Sequence, residues 1–415
     1  MAIIGAVGLF ISYDFGIIQP TRVMTSASYR NVAYYTLVTI PLFILMGEYM
    51  RVSGLTSDIF YVADRFLSHI RGGLAFTTII ANGIFAVLSG STVAASAAIS
   101  RIAVPEMRKY GYDDRLSVGT VSAAGTFASL MPPSIPLIVY GILTETSITA
   151  LFLAGIIPAI LSLVGYAIVI YIWALREPEI MGVKEGELTR YSWSERMETF
   201  PLMIPLFALA VIVLGGLYGG FVTVTEAGAL GAIGALVIGW YFGELNFSEN
   251  IIALREAIQT STMIFIILIG AVFFTFYISL TGFITDLLGI ISATPMDAWI
   301  VLGIVLVMFI ALGTVMVPIG ILILTMPIVY PLVTELGFNS VWFGILIVKT
   351  IEMGLVTPPF GINVYVACEP VDTPPSVGFK GAMRLLIADF AVLFLLILFP
   401  SLALFIPELA GAPDV

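Results

Sequence analysis

Leu130-Met131-Pro132-Pro133-Ser134-Ile135-Pro136 lies in the middle of Leu116–Thr144, a run of 29 residues without a charge. About 20 apolar residues span roughly 30 Å of hydrocarbon, so this run is long enough to cross a bilayer. Two successive prolines break a helix, because each removes an amide donor and clashes with the carbonyl four residues back. The residue before a proline is also pushed toward extended geometry. The stretch therefore predicts a membrane helix interrupted at mid-depth. Backbone groups freed there have no water, so such a break persists only where it is buried in protein or lines a polar cavity. Pro358-Pro359, between Trp342 and Cys368, repeats the problem 226 residues later.

The rest of the chain agrees with a membrane setting. Of its 415 residues, 60% are hydrophobic and 11% charged, with a mean hydropathy of +1.09. Soluble domains carry about 25% charged residues, so a soluble enzyme is excluded and an all-α polytopic membrane protein is expected. Seventeen basic against 27 acidic residues give a net charge of −10, which disfavours a nucleic-acid partner. One cysteine, Cys368, and one histidine, His69, exclude an internal disulfide framework, a cysteine- or histidine-rich metal site and a Ser-His-Asp triad. No HExxH or Walker A pattern occurs. Charge-free runs recur at Asn31–Gly47, Gly72–Ser100, Thr146–Leu175, Thr199–Thr225, Ala227–Gly243, Ala257–Thr285, Ala298–Thr334, Met353–Cys368 and Phe390–Pro407. Met1–Ser12 is apolar but short, lacks the features of a signal peptide, and reads as part of a helix that begins earlier in a longer chain.

Basic residues set the orientation. Arg51, Arg65 and Arg71 cluster, as do Arg101, Arg108, Lys109 and Arg115, and Arg176, Lys184, Arg190 and Arg196. Together with Arg255, and with Lys380 and Arg384, they mark five cytoplasmic regions. Gly215–Glu226 and Thr281–Asp297 hold no Lys or Arg and fall outside. Arg22 and Arg30 then lie in an external loop, a mild violation. Landmarks recur in one order along the two halves. Gly54-x3-Asp58 matches Gly282-x3-Asp286, the Gly-Ser-Thr at Gly90 matches Gly313-Thr314, and Pro132-Pro133 matches Pro358-Pro359, with offsets of 228, 223 and 226. The charges start one copy from the cytoplasm and the other from outside, which is the inverted-repeat architecture of secondary transporters.

Gly72–Ser100 carries Leu88-Ser89-Gly90-Ser91-Thr92 at its centre. Its arms, Gly73–Leu88 and Val93–Val104, are each only about 18–24 Å long at 1.5 Å per residue. A re-entrant hairpin fits better than two spans. Ala298–Leu312 and Ile319–Val333, with Gly313–Pro318 between them, make the second hairpin. Ser89, Ser91, Thr92, Ser129, Ser134, Thr314, Thr357 and Asn363 gather at the tips and breaks. Singly, such hydroxyls read as back-bonded to helix carbonyls. As a set at four symmetric breaks they read as a binding site, where exposed carbonyls suit Na+ and half-helix N-termini suit a carboxylate.

Lys349 and Glu352 are three residues apart and share a helix face before Pro358. Buried intramembrane charges are functional by default, but this pair also reads as mutually neutralising. Glu145 and Glu226 read as helix-end residues and His69 as a surface residue. Glu177–Glu198, the longest polar insert, and Phe247–Thr260 read as interfacial arms lying on membrane lipid.

Leu130–Gly141, Thr144-Glu145-Thr146-Ser147-Ile148 and Leu151-Phe152-Leu153-Ala154-Gly155-Ile156-Ile157-Pro158 resemble the large membrane subunit of tripartite ATP-independent periplasmic (TRAP) transporters. So do Gly90-Ser91-Thr92-Val93-Ala94 and Glu352–Asn363. The resemblance runs from about Asn31 to the C-terminus. It implies a non-enzymatic, Na+-driven importer of organic anions, such as a C4-dicarboxylate or sugar acid, in the bacterial inner membrane. It also implies a periplasmic binding protein, a small four-helix membrane subunit and an elevator motion. Mapped residue by residue, it implies Na+ sites at Ser89, Gly90, Ser91, Thr92, Ser129 and Pro132 and at Gly313, Thr314, Thr357 and Pro358. The substrate cleft it implies adds Ser134, Pro318 and Asn363, with Lys349 as a candidate. Scaffold is expected at residues 1–71 and 148–280, transport domain at 72–147 and 281–368, and a cytoplasmic loop with the last span at 369–415. Val317 stands where many members have an acid, Val224 where they have Pro, and Lys349 where they have a neutral residue. The main alternative is a Na+/carboxylate symporter of another hairpin family that needs no binding protein.

Overall fold

The computed structural model describes residues 33–70, 72–182, 191–283 and 297–412, with Val7, Asp286 and Gly289. Arg22, Arg30, Arg71, Lys184 and Arg190, and the expected helix at Met1–Ser12 apart from Val7, lie outside the described residues. The described residues are helical, with no strand among them. Among the described residues, six helices are long and apolar enough to cross a membrane, or seven if a first pair bent by 68° counts as one span.

That pair is α1 (Thr39–Val52) and α2 (Leu55–Leu67), which turn at Gly54. Gly54 sits at φ +75°, and its repeat mate Gly282 at φ +69°, so the first matched landmark shares its backbone as well as its letters. Two arms follow, α3 (Gly73–Ser89) and α4 (Thr92–Lys109), then α5 (Asp114–Ala124) and α6 (Ile135–Thr144) on either side of the first Pro-Pro break. Long spans come next: α7 (Ile148–Arg176), α8 (Trp193–Tyr218), α9 (Val224–Tyr241) and α10 (Phe247–Leu280). The second copy is α11 (Ala298–Gly313) and α12 (Pro318–Glu335), then α13 (Ser340–Leu355) and α14 (Ile362–Cys368) around the second break. Helices α15 (Pro375–Leu398) and α16 (Ser401–Leu409) close the chain.

Starts are written in the sequence as caps. Ser91, Ser134, Asp297 and Asn339 each accept an amide of the helix they open, satisfying one of the donors that a helix start leaves free. Thr223 and Glu226 form a reciprocal capping box on α9, so Glu226 is a helix-end residue as expected. Glu145 is one as well, ending α6 in a left-handed turn at φ +56°.

The two copies are antiparallel. At one end, Arg108 bonds Asp114 at 2.8 Å, the Val371 carbonyl at 3.0 Å and Thr373 at 2.7 Å, while Arg384 meets Glu177 at 2.7 Å. That end holds the base of the first hairpin, the start of α5 and the end of α14. Arg115 beside Asp113 holds that carboxyl below its usual range. At the other end the Tyr140 hydroxyl donates to the Ser340 carbonyl at 2.7 Å, and Trp299, Phe338 and Trp342 stack together. That end holds the base of the second hairpin and the start of α13. The broken helices thus run in opposite directions, and the hairpins enter from opposite sides.

The expected arms differ from observation. Phe247–Thr260 is no separate arm but the first part of α10, one 34-residue helix, about 51 Å long at 1.5 Å per residue. Trp193–Glu198 opens α8, which passes through a 3-10 turn at Phe200–Met203 before the apolar helix resumes at Ile204. The polar residues at both starts do not stop the helix, because Asn246 and Ser192 cap it and the apolar run continues.

Small residues let helices close up, as they do generally in membranes. A Cβ on Gly119 of α5 would lie 2.6 Å from Gly381 Cα of α15. We expect Gly119→Val to cost about 1–3 kcal/mol through overpacking, read as a lower melting temperature of the purified protein. Gly303→Ala, where a Cβ meets nothing within 4 Å, serves as the silent control.

Candidate functional site

Each hairpin tip rests on a Pro-Pro break. In the first copy, a Cβ on Gly90 (φ +58°) would lie 2.6 Å from the Pro133 carbonyl oxygen, so only glycine permits this approach. Thr92 and Ser129 share a hydroxyl–hydroxyl bond of 2.8 Å, joining the start of α4 to the 3-10 turn Gly125–Ser129 before the break. Ser134 donates to the Ser129 carbonyl and accepts the Leu137 amide at 3.2 Å, bridging the break. In the second copy, a Cβ on Gly313 would lie 2.6 Å from the Ile351 carbonyl oxygen. The Gly361 amide donates to the Thr314 carbonyl at 3.2 Å, tying tip to break. Both Pro-Pro bonds, Pro132-Pro133 and Pro358-Pro359, are cis. Pro318 opens α12, where a missing amide costs nothing.

The hydroxyls are oriented for accepting. Thr314 donates to the Ala311 carbonyl at 2.8 Å and Thr357 to Met353 at 2.6 Å. A hydroxyl that has given its proton to a carbonyl keeps lone pairs for a cation. This is the back-bonding expected of single residues, and it is compatible with a site. Several buried groups here have no partner: Ser89 Oγ, Glu352 Oε2 and both amide atoms of Asn363. Buried polar groups are bonded as a rule, so these four orphans at the tips and breaks are groups a ligand could satisfy, while other buried orphans, such as Thr77 and Thr120, lie elsewhere. The C-termini of α3 and α11 turn carbonyls toward the tips, while α4, α6, α12 and α14 begin there. The ends carry the partial charges suited to cation and anion respectively.

The structure separates Lys349 from Glu352. Lys349 Nζ bonds Asp389 at 2.5 Å and Ser162 Oγ at 2.8 Å, and Tyr166 donates to both Asp389 oxygens at 2.7 Å. The ammonium is thereby engaged by α7 and α15, away from the tips. Glu352 instead faces the first hairpin, with Oε1 3.4 Å from Thr92 Oγ1. Asp389 was missed in the sequence because it lies just before the charge-free run Phe390–Pro407 and far from Lys349 in order. An acid inside the last long helix, matched to an otherwise unexplained intramembrane lysine, was the available signal. His69 is exposed, its Nδ1 3.3 Å from Arg196.

Removing one member of the Lys349–Asp389 pair leaves the other buried and unmatched, which costs about 3–5 kcal/mol. Lys349→Met and Asp389→Leu should each lower the melting temperature sharply. The double variant should recover most of the loss, as a double-mutant cycle in detergent measures.

Comparison with known proteins bears on what such a site serves. The family model described as "Tripartite ATP-independent periplasmic transporter, DctM component" matches residues 1–402. The chain is 32% identical over 384 residues to a C4-dicarboxylate TRAP transporter large permease protein of Pseudomonas aeruginosa, covering 92% of this chain and 88% of that one. It is 29% identical over 410 residues to a sialic acid TRAP transporter large permease protein of Vibrio cholerae, covering 97% and 93%. The crystal structure of the Alcanivorax borkumensis YdaH transporter superposes with a TM-score of 0.62 at 14% identity, covering 92% of this chain and 90% of that one, a likeness of fold.

Proposed function

Since this chain belongs to the DctM-component family of tripartite ATP-independent periplasmic transporters, we propose that it is the large membrane subunit of a Na+-coupled importer of a small organic anion. It is a multi-pass membrane transport protein and not an enzyme, as its permease relatives are named. The finer reading takes the bacterial inner membrane as its site. Its partners in that reading are a periplasmic binding protein that delivers substrate and a small four-helix membrane subunit.

The observation that carries the reading is the seating of each hairpin tip on a Pro-Pro break, with orphaned oxygens between. Ser89, Gly90, Ser91, Thr92, Ser129 and Pro132 frame one cation site in this reading, and Gly313, Thr314, Thr357 and Pro358 the other. Na+ enters as co-substrate, and its electrochemical gradient supplies the work. Ser91, Thr92, Ser134, Thr314, Pro318, Thr357 and Asn363 line the cleft for the anion, where half-helix N-termini offer amides and positive dipole ends. C4-dicarboxylates and sugar acids are the substrate classes to test, following the names of the relatives. Lys349 is left out of the cleft because Asp389 and Ser162 hold its ammonium. The hairpins carry the site across as one body in an elevator movement against the long spans.

Reconstitution with the small subunit and binding protein tests this. Uptake of labelled succinate or sialic acid should require an inward Na+ gradient and the binding protein. Alanine at Ser91, Thr92, Thr314 and Thr357 together should abolish the Na+ dependence. Uptake without the binding protein would favour the other symporter class, and Na+ dependence surviving all four substitutions would overturn the site.

A further inference from the structure

Glu352 is 1% exposed, yet its Oε2 has no hydrogen-bond partner. Its Oε1 lies 3.4 Å from Thr92 Oγ1, and the Ser129 hydroxyl stands beside the same carboxyl. Thr92 belongs to the first repeat and Glu352 to the second, so this contact crosses between the copies. The nearest compensating charge along its own helix would be Lys349, one turn earlier. That ammonium is already bonded to Asp389 and Ser162, and Tyr166 completes Asp389. Lys349 and Asp389 thus compensate each other, and Glu352 is left without an ion-pair partner among the described residues.

An unmatched carboxylate in a low-dielectric interior is costly unless it takes up a proton or something cationic joins it. The surroundings sharpen the need. The C-terminus of α3, at Ser89, brings its negative dipole end to the same tip. The hydroxyls of Thr92 and Ser129 bond each other at 2.8 Å, and the Ser89 hydroxyl has no partner. The groups gathered there are hard oxygens, the donor set that alkali and alkaline-earth cations take.

We infer that Glu352 is the anionic ligand of a monovalent-cation site completed by the Thr92 and Ser129 hydroxyls. The site exists only while the first hairpin tip rests against α13, and it pins that hairpin to the helix that breaks at Pro358. A cation bound there holds the two repeats in register, so loading is linked to the geometry of both breaks. This rests on the Na+-coupled reading and adds to it a charged ligand from the opposite repeat.

The test is the Na+-dependent rise in melting temperature of the purified protein in nanodiscs, with choline chloride as the ionic-strength control. Wild type should be stabilised by NaCl. Glu352→Gln should need about 10–100-fold more Na+ for the same shift, as loss of a metal-site partner does. Thr92→Val, which keeps shape and removes one ligand, should shift the titration in the same direction, and Glu352→Asp decides the matter if Glu352→Gln does not fold. Glu352→Asp should restore part of the response. If wild type responds to Na+ and Glu352→Gln and Glu352→Asp titrate with it unchanged, Glu352 is not a ligand and only this inference falls. If wild type itself shows no Na+-specific shift, the Na+-coupled reading falls with it.

Discussion

Unsatisfied backbone in hydrocarbon is the constraint on which this structure depends. Two helices break at Pro-Pro, and two hairpins end inside the membrane, so four sets of amides and carbonyls are stranded without water. Each unsatisfied group costs several kcal/mol in lipid. The fold answers by placing each tip on a break, so that stranded groups face one another: the Gly361 amide on the Thr314 carbonyl, Ser134 on the Ser129 carbonyl. Glycine is required where this brings backbone against backbone. Gly90 above Pro133 and Gly313 above Ile351 leave no room for a Cβ. What remains unbonded after that pairing is a small set of oxygens and amides at the centre, and those are what a transported ion or anion can use.

The same constraint explains the antiparallel arrangement. A tip can reach a mid-membrane break from either face, but two hairpins from one face would compete for one side of the breaks. Opposed copies place one tip against each break, with α13 between them. Glu352 then faces the first tip from the second repeat, while Gly354, two residues on, packs against Gly313 of the second tip. The helix between them is thus the common wall of both halves.

Much of this was legible in the sequence. The helix breaks, both hairpins and their opposed orientation followed from proline pairs, Gly-Ser-Thr tips and the placement of Arg and Lys. Those signals are local and bear directly on the backbone. The hairpin arms came out nearly as read, though the first extends to Lys109 where Val104 was expected, because α4 continues through Pro105, which stands on its exposed face. Phe247–Thr260 was expected to stand apart from the span that follows, and it does not. Polarity marks where a chain leaves hydrocarbon but not whether the helix stops, and capped starts at Ser192 and Asn246 let it run on.

Buried charge was least legible, since pairing across 40 residues of sequence is decided by packing and not by spacing. Lys349 and Glu352 share a helix face, and proximity alone would match them. The structure matches Lys349 to Asp389 because α15 packs on α13 and α7 and presents its acid there with Ser162 and Tyr166. An ammonium so held is paired with Asp389 and bonded to Ser162 where α7, α13 and α15 meet. Glu352, left on the far side of the turn, has no ion-pair partner among the described residues. Two residues three apart on one helix therefore do opposite things: one closes a neutral structural network, and the other opens a charged one toward the tip where the first hairpin lands.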